Sequence, residues 1–202
     1  SPCWTICGAS AHTTPTTCLA KSTRAFQSRK RNVYGRSVME AESAALTRQE
    51  AEAITHLVRR SIEIKAEIVS SDERESGRRA ILNAGHTVGH ALEQVSGYQL
   101  PHGEAVALGL MAESQLAEQL GIAPSGLRDR VGTLLGRLGL PQRLPHGLDP
   151  GALLNSMAAD KKNRGSQIRF ALPSALGQVH RLEGWTTTAP DDSIRHAIEV
   201  LL

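Results

Sequence analysis

Apolar positions fall at helical spacing from Val38 onward and at no regular spacing before it. Val38 to Leu46 and Glu50 to Ser70 are runs of helix formers, the second carrying Ile54, Leu57, Val58, Ile62, Ile64, Ile68 and Val69 three and four apart. Thr47 followed by Glu50 has the form of a capping box opening that second helix. Asp72 to Leu82 is a short charged segment holding Arg78 and Arg79. His102 to Leu120 is again strongly helical through Val106, Leu108, Leu110, Met111, Leu116 and Leu120, with Gly121 as its C-cap. Leu127 to Leu138 is amphipathic and stopped by Gly139 and Pro141, and Pro150 to Ala159 reads as a short helix ending in Asp160, Lys161, Lys162 and Asn163. Gln167 to Leu172 alternates as a strand does, and Gln178 to Leu182 can pair with it around a Pro173–Gly177 turn. Asp191 and Asp192 cap a last helix, Ser193 to Leu202. The pattern predicts a mainly α fold, a multi-helix domain with one small β-hairpin and no internal repeat.

The stretch Leu82 to Glu104, LNAGHTVGHALEQVSGYQLPHGE, concentrates the candidate chemistry. Read as one helix, it puts Asn83, His86 and His90 at i, i+3 and i+7, on a single face, with Ala84, Val88, Ala91, Leu92 and Val95 to bury. Gly85 and Gly89 each cost about 1 kcal/mol of helix propensity against alanine, which predicts that they make room beside the imidazoles. Gly97 and Pro101 then break the helix, so that His102 comes in on a separate loop to meet the other two. His86 and His90 have the i, i+4 spacing of the zinc-protease helix, but Thr87 stands where that motif needs a glutamate, and the motif is excluded. By spacing alone, two histidines four apart are more often structural or solvated than ligands. A catalytic zinc wants three protein ligands and an open position. His86, His102 and one carboxylate would supply them, leaving His90 for proton transfer or substrate.

Composition adds limits. The chain has 202 residues, 40% of them hydrophobic but only 3% aromatic, so a core must rest on aliphatic side chains, which favours packed helices. No apolar run approaches the roughly 18 residues that a membrane crossing needs, and a soluble, cytoplasmic protein is expected. The formal charge of +3 is concentrated at one end: residues 1–39 hold Lys21, Arg24, Arg29, Lys30, Arg31 and Arg36 and no acid. The remainder is near neutral, which argues against a nucleic-acid footprint on the folded part. Cys3, Cys7 and Cys18 also lie in this first segment; Cys-x3-Cys beside His12 lacks a fourth zinc ligand at sensible spacing. Residues 1–37 are expected to be a disordered, non-homologous or artefactual basic tail in preference to an organellar targeting signal, and residues 38–202 the helical domain.

The runs KAEIVSSDERESGRRAILNAGHTVGHALE, LPHGEAVALGLMAE and DKKNRGSQIRFALPSALG resemble 3-dehydroquinate synthase, in unbroken order from about Val38 to the C-terminus. The resemblance implies a metal- and substrate-binding half of an enzyme that converts 3-deoxy-arabino-heptulosonate 7-phosphate to 3-dehydroquinate and phosphate, in the shikimate pathway of aromatic amino acid biosynthesis. Enzymes of that family use bound NAD to oxidise a hydroxyl transiently and a divalent metal, zinc or cobalt, to hold it. By motif match, His86 and His102 correspond to the two histidine metal ligands and His90 to the histidine near the departing proton and phosphate. Lys65, Arg79, Asn83 and Lys161 match residues that hold substrate carboxylate, phosphate or hydroxyls. Without the resemblance, Lys65 reads as a solvated lysine.

The departures bear on what this chain does by itself. No glycine-rich phosphate loop precedes residue 38, so the family's NAD-binding domain is expected to be lacking. The family's third metal ligand, a glutamate, should fall near Thr23, where no acid stands. The chain is therefore expected to be inactive alone, with a separate NAD-domain chain or a second copy as partner and a small sugar phosphate as substrate. The alternatives are another sugar-phosphate cyclase, or a non-catalytic helical remnant or interaction module.

Overall fold

The structure, a computed structural model, describes residues 38–72, 77–164 and 167–202, with the backbone alone at 38, 160–164 and 183. The fold is mainly helical. In chain order the helices are α1 (Val38–Thr47), α2 (Ala51–Ser71), α3 (His86–Val95), α4 (His102–Gln119), α5 (Leu127–Arg137), α6 (Pro150–Arg164) and α7 (Asp191–Glu199). A 3-10 segment, Arg78–Asn83, precedes α3, and a two-stranded antiparallel sheet, β1 (Pro173–Ala175) and β2 (Gln178–Val179), lies between α6 and α7. No helix among the described residues is long and apolar enough to cross a membrane.

Helix α4 is the axis of the domain and packs on α3, α5, α7 and β1. Its buried positions are mostly small: Ala105, Ala107, Gly109, Ala112, Ser114 and Ala117 alternate with Leu108, Met111 and Leu116. Small side chains let neighbouring backbones come close, and the aliphatic ones fill the gaps between them. Around this axis the core collects Val88 and Leu92 of α3, Val131 and Leu135 of α5, Leu153 and Met157 of α6, Phe170, and Ile194, Ile198 and Leu201 at the C-terminus. Helix α1 is fastened to α5 by Arg130, whose guanidinium grips Glu40 at 3.1 Å, and by Thr47, whose hydroxyl donates to the Arg137 carbonyl at 2.7 Å.

The helical pattern of the sequence is realised, with corrections at the ends of elements. Thr47 does not cap α2. It is the last residue of α1, its Oγ1 directed to the Ser43 and Arg137 carbonyls, and α2 starts after Glu50 without a side-chain cap. Gln49 takes a left-handed φ of 57° between the two helices, which turns the chain before a capping box can close. Helix α6 continues past Ala159 to Arg164 because nothing from Asp160 to Arg164 breaks a helix. The hairpin is shifted toward the C-terminus: Pro173–Ala175, expected in the turn, is itself a strand, and Gly177 at φ 73° makes the tight reversal. Phe170 pairs instead with Thr187, exchanging backbone hydrogen bonds of 2.8 and 2.9 Å. Asp191 and Asp192 lie inside the first turn of α7, where their charge favours the helix N-terminus, and they are not caps.

Candidate functional site

Leu82 to Glu104 spans the end of the 3-10 segment, the whole of α3 and the start of α4: the break expected at Gly97 and Pro101 is present, and a further one falls before His86. The 3-10 segment ends at Asn83, and Gly85, at φ 79°, turns the chain through a conformation that favours glycine before α3 begins at His86. Asn83 therefore does not share a helix face with His86 and His90. A second turn at Gly97 and Tyr98, both at positive φ, reverses the chain. His102 then enters as the first residue of α4, not on a loop.

The glycines make room for backbone, not for imidazoles. Helices α3 and α4 run antiparallel, and a Cβ on Gly85 would stand 2.8 Å from the Val106 carbonyl oxygen. One on Gly89 would be 3.2 Å from Val106 Cα, and one on Gly109 would collide with the Gly85 carbonyl. This close crossing brings the histidines together. The ring of His86 lies 5.5 Å from those of both His90 and His102, and His90 and His102 stack at 6.1 Å.

Two of the three rings have their Nδ1 engaged by an acceptor. His86 Nδ1 is 3.1 Å from the Ala84 carbonyl, and His102 Nδ1 is 3.1 Å from Glu93 Oε1. An acceptor at Nδ1 fixes the tautomer with the proton there and leaves Nε2 bare to bind a metal. Glu93 is the residue that sequence reasoning missed, although its place at i+3 from His90 and i+7 from His86 was a signal for the shared face. Donor atoms of His90, Glu93 and His102 all lie within 4.8 Å of one another, a set whose chemistry suits a divalent cation. His86 is outside that set, so the geometry groups His102 with His90 and Glu93 more closely than with His86, the partner that the motif match implies.

The other candidates are not hydrogen-bonded to the imidazoles among the described residues. Lys65 is exposed on α2, Asn83 is exposed at the end of the 3-10 segment, and Arg79 is half-buried. The backbone N–H of Arg79 donates to Asp72 Oδ2 at 2.9 Å, as does that of Gly77, so the buried Asp72 carboxylate shapes the turn that carries Arg79. Lys161 falls within α6, and its side chain lies outside what the structure describes, as does Thr23, where the missing glutamate was expected.

Beneath the histidines is a buried acid. Glu113 of α4 is 0% exposed and accepts a 2.6 Å hydrogen bond from the Gly85 N–H at Oε2. Burial pushes its carboxyl up to about 8, against backbone hydrogen bonds from Gly85, Val88 and Thr87 that favour the charged form.

Comparison with known proteins fits this arrangement. Residues 32–163 match the family model described as 3-dehydroquinate synthase C-terminal. A 3-dehydroquinate synthase of Synechococcus sp. is 46% identical over 130 residues, 64% of this chain and 35% of that protein. One of Nostoc punctiforme is 42% identical over 149 residues, 73% of this chain and 40% of that protein. The chain thus spans well under half the length of these relatives. Among solved structures, 2-deoxy-scyllo-inosose synthase complexed with carbaglucose-6-phosphate, NAD+ and Co2+ superimposes with a TM-score of 0.63 at 26% identity, covering 70% of this chain and 39% of that one. The 2-epi-5-epi-valiolone synthase of Streptomyces hygroscopicus, with NAD+ and Zn2+ bound, shares the fold at a TM-score of 0.66 and 22% identity, over 81% of this chain and 45% of its own.

Proposed function

The chain belongs to the 3-dehydroquinate synthase family through that family's C-terminal domain, and we propose that it forms the metal- and substrate-binding half of a 3-dehydroquinate synthase. The observation that carries this reading is the pair of imidazoles, His86 and His102, each with an acceptor on Nδ1 and a free Nε2, facing a third ring at His90. The dehydroquinate branch is favoured over other sugar-phosphate cyclases because relatives bearing that name stand at 38–46% identity, against 26% for the inosose synthase.

In this reading His86 and His102 would hold a zinc or cobalt ion, and Glu93, 3.1 Å from His102 Nδ1, would orient that ring. A divalent ion held there would polarise a substrate hydroxyl. His90, whose ring nitrogens meet no hydrogen-bond partner among the described residues, would take or return the substrate proton beside it. Arg79 suits the phosphate of 3-deoxy-arabino-heptulosonate 7-phosphate, since a guanidinium meets phosphate oxygens bidentately. Lys65, Asn83 and Lys161 hold carboxylate and hydroxyl oxygens. The NAD site of such an enzyme belongs to an upstream half, on the same polypeptide or on a partner, so residues 38–202 by themselves are expected to form no product.

The test is calorimetric titration of Zn2+ and Co2+ into the chain, into the His86→Ala/His102→Ala double variant and into Glu93→Gln. The parent should bind, the double variant should not, and Glu93→Gln should weaken binding by about 10- to 100-fold, the usual effect of removing an orienting partner. Equal binding by parent and double variant would remove the proposed site. NAD-dependent phosphate release by the chain without an upstream half would overturn its dependence on one.

A further inference from the structure

Glu113 has no role in that reading, yet it is the group whose placement is hardest to explain by packing alone. A fully buried carboxyl on a helix face that is otherwise mostly apolar is costly unless it is hydrogen-bonded. Here it lies one turn beyond Gly109, at the point where the α3–α4 crossing is closest. The absence of a side chain at Gly109 lets the α3 backbone come in, and the 2.6 Å bond from the Gly85 N–H spans the seam to Glu113 Oε2. Gly85 is the N-cap of α3, and no side chain of its own segment caps that helix. The first four N–H groups of a helix lack partners within it, so an acceptor on a neighbouring helix fixes both the start of α3 and its rotation. His86 is the next residue. Its Nδ1 contact reaches back to the Ala84 carbonyl, on the other side of the same glycine. Three consecutive residues are thereby tied to one anchor.

We propose that Glu113 is a positioning residue for His86: by holding the Gly85 amide from across the seam, it fixes the start of α3 and the direction in which the imidazole presents Nε2. This deepens the metal-site reading above and rests on it for its functional meaning. Oε1 of the same carboxyl has no hydrogen-bond partner among the described residues, so the anchoring runs through Oε2 and the backbone N–H groups of Gly85, Thr87 and Val88 at the start of α3.

Three variants separate anchoring from mere filling of space. Glu113→Gln keeps an acceptor of the same reach, Glu113→Asp withdraws it by one methylene, and Glu113→Leu removes it while keeping volume. In the metal-free chain, 15N imidazole shifts should report one fixed His86 tautomer for the parent and Glu113→Gln, and tautomer averaging for Glu113→Asp and Glu113→Leu. Amide exchange at Gly85 should accelerate in the latter pair only. Zn2+ affinity should fall about 10-fold or more in that pair and stay within about threefold of the parent in Glu113→Gln. Should the leucine variant not fold, the aspartate variant decides. An unchanged His86 tautomer and Gly85 exchange in Glu113→Asp would overturn the proposal, as would equal losses in Glu113→Gln and Glu113→Asp. A parent that binds no Zn2+ would refute the metal site instead, leaving the tautomer and exchange measurements to decide the anchor.

Discussion

At the scale of single residues, Glu113 gives the molecule a dependence on pH. Its carboxyl stands at about 8 in the fold against an ordinary 4.5 because burial penalises its charged form. Between those values the folded chain holds a proton that the unfolded chain releases. Stability from this group is therefore whole below about 4.5, falls as pH rises, and levels off above about 8. Glu113→Gln cannot titrate, and its urea midpoint plotted against that of the parent from pH 5 to 8.5 should decline less steeply. Parallel profiles would show that Glu113 titrates normally. Nothing in the sequence set this residue apart. MAES looks like any helical run, and only the position of Glu113 four residues past Gly109, on the face that α4 buries, places it in the interior. The histidines were legible because three in a short window stand out. The orienting partner Glu93 was not, since its meaning depends on where the chain reversal at Gly97 delivers His102.

At the scale of elements, the α3–α4 crossing decides the site, and glycine decides the crossing. Helical spacing showed both helices and their buried faces in the sequence. It did not show that Asn83 is cut off from His86 by a left-handed Gly85, because an isolated glycine reads equally as a helix interior under close packing or as a helix start. The hairpin is only partly where the pattern puts it, for a similar reason: Leu172 of QIRFAL accepts a hydrogen bond from the His180 N–H of the expected partner run, but Phe170 pairs with Thr187, a tertiary pairing that local pattern cannot reveal. Gly109→Ala tests the crossing directly. Alanine should gain about 1 kcal/mol of helix propensity, yet its Cβ would meet the Gly85 carbonyl and stand 2.8 Å from the Gly89 nitrogen, both backbone atoms that move only if α3 moves. Overpacking of this kind costs about 1–3 kcal/mol, so the clash should win. The measurable outcome is a lower urea midpoint together with weaker Zn2+ binding. A Gly109→Ala chain more stable than the parent would mean that the crossing is looser than the geometry indicates.

At the scale of the whole molecule, α2 is the element that this domain leaves unfinished. It is 21 residues long but buries only Ala53 and Ile68, resting on α1 and the 3-10 segment. Ile54, Val58 and Ile62, each four residues after the last, form a stripe 41%, 51% and 63% exposed. A surface helix ordinarily turns its apolar stripe to a core, and contiguous exposed apolar surface marks a face that something else covers. The chain spans 35–40% of its relatives' length, and a stripe of this kind suits a face on which further protein packs. Covering the remaining exposed part of each aliphatic side chain is worth about 1 kcal/mol, enough to draw copies together at high concentration. Sedimentation velocity on the purified chain should therefore show concentration-dependent self-association, and Ile54→Ser/Val58→Ser/Ile62→Ser should shift it toward monomer. Zn2+ binding should be unaffected, because the stripe makes no contact with the histidines among the described residues. A parent chain that stays a monodisperse monomer at high concentration would mean that α2 tolerates its exposure and that no partner need be sought for this face.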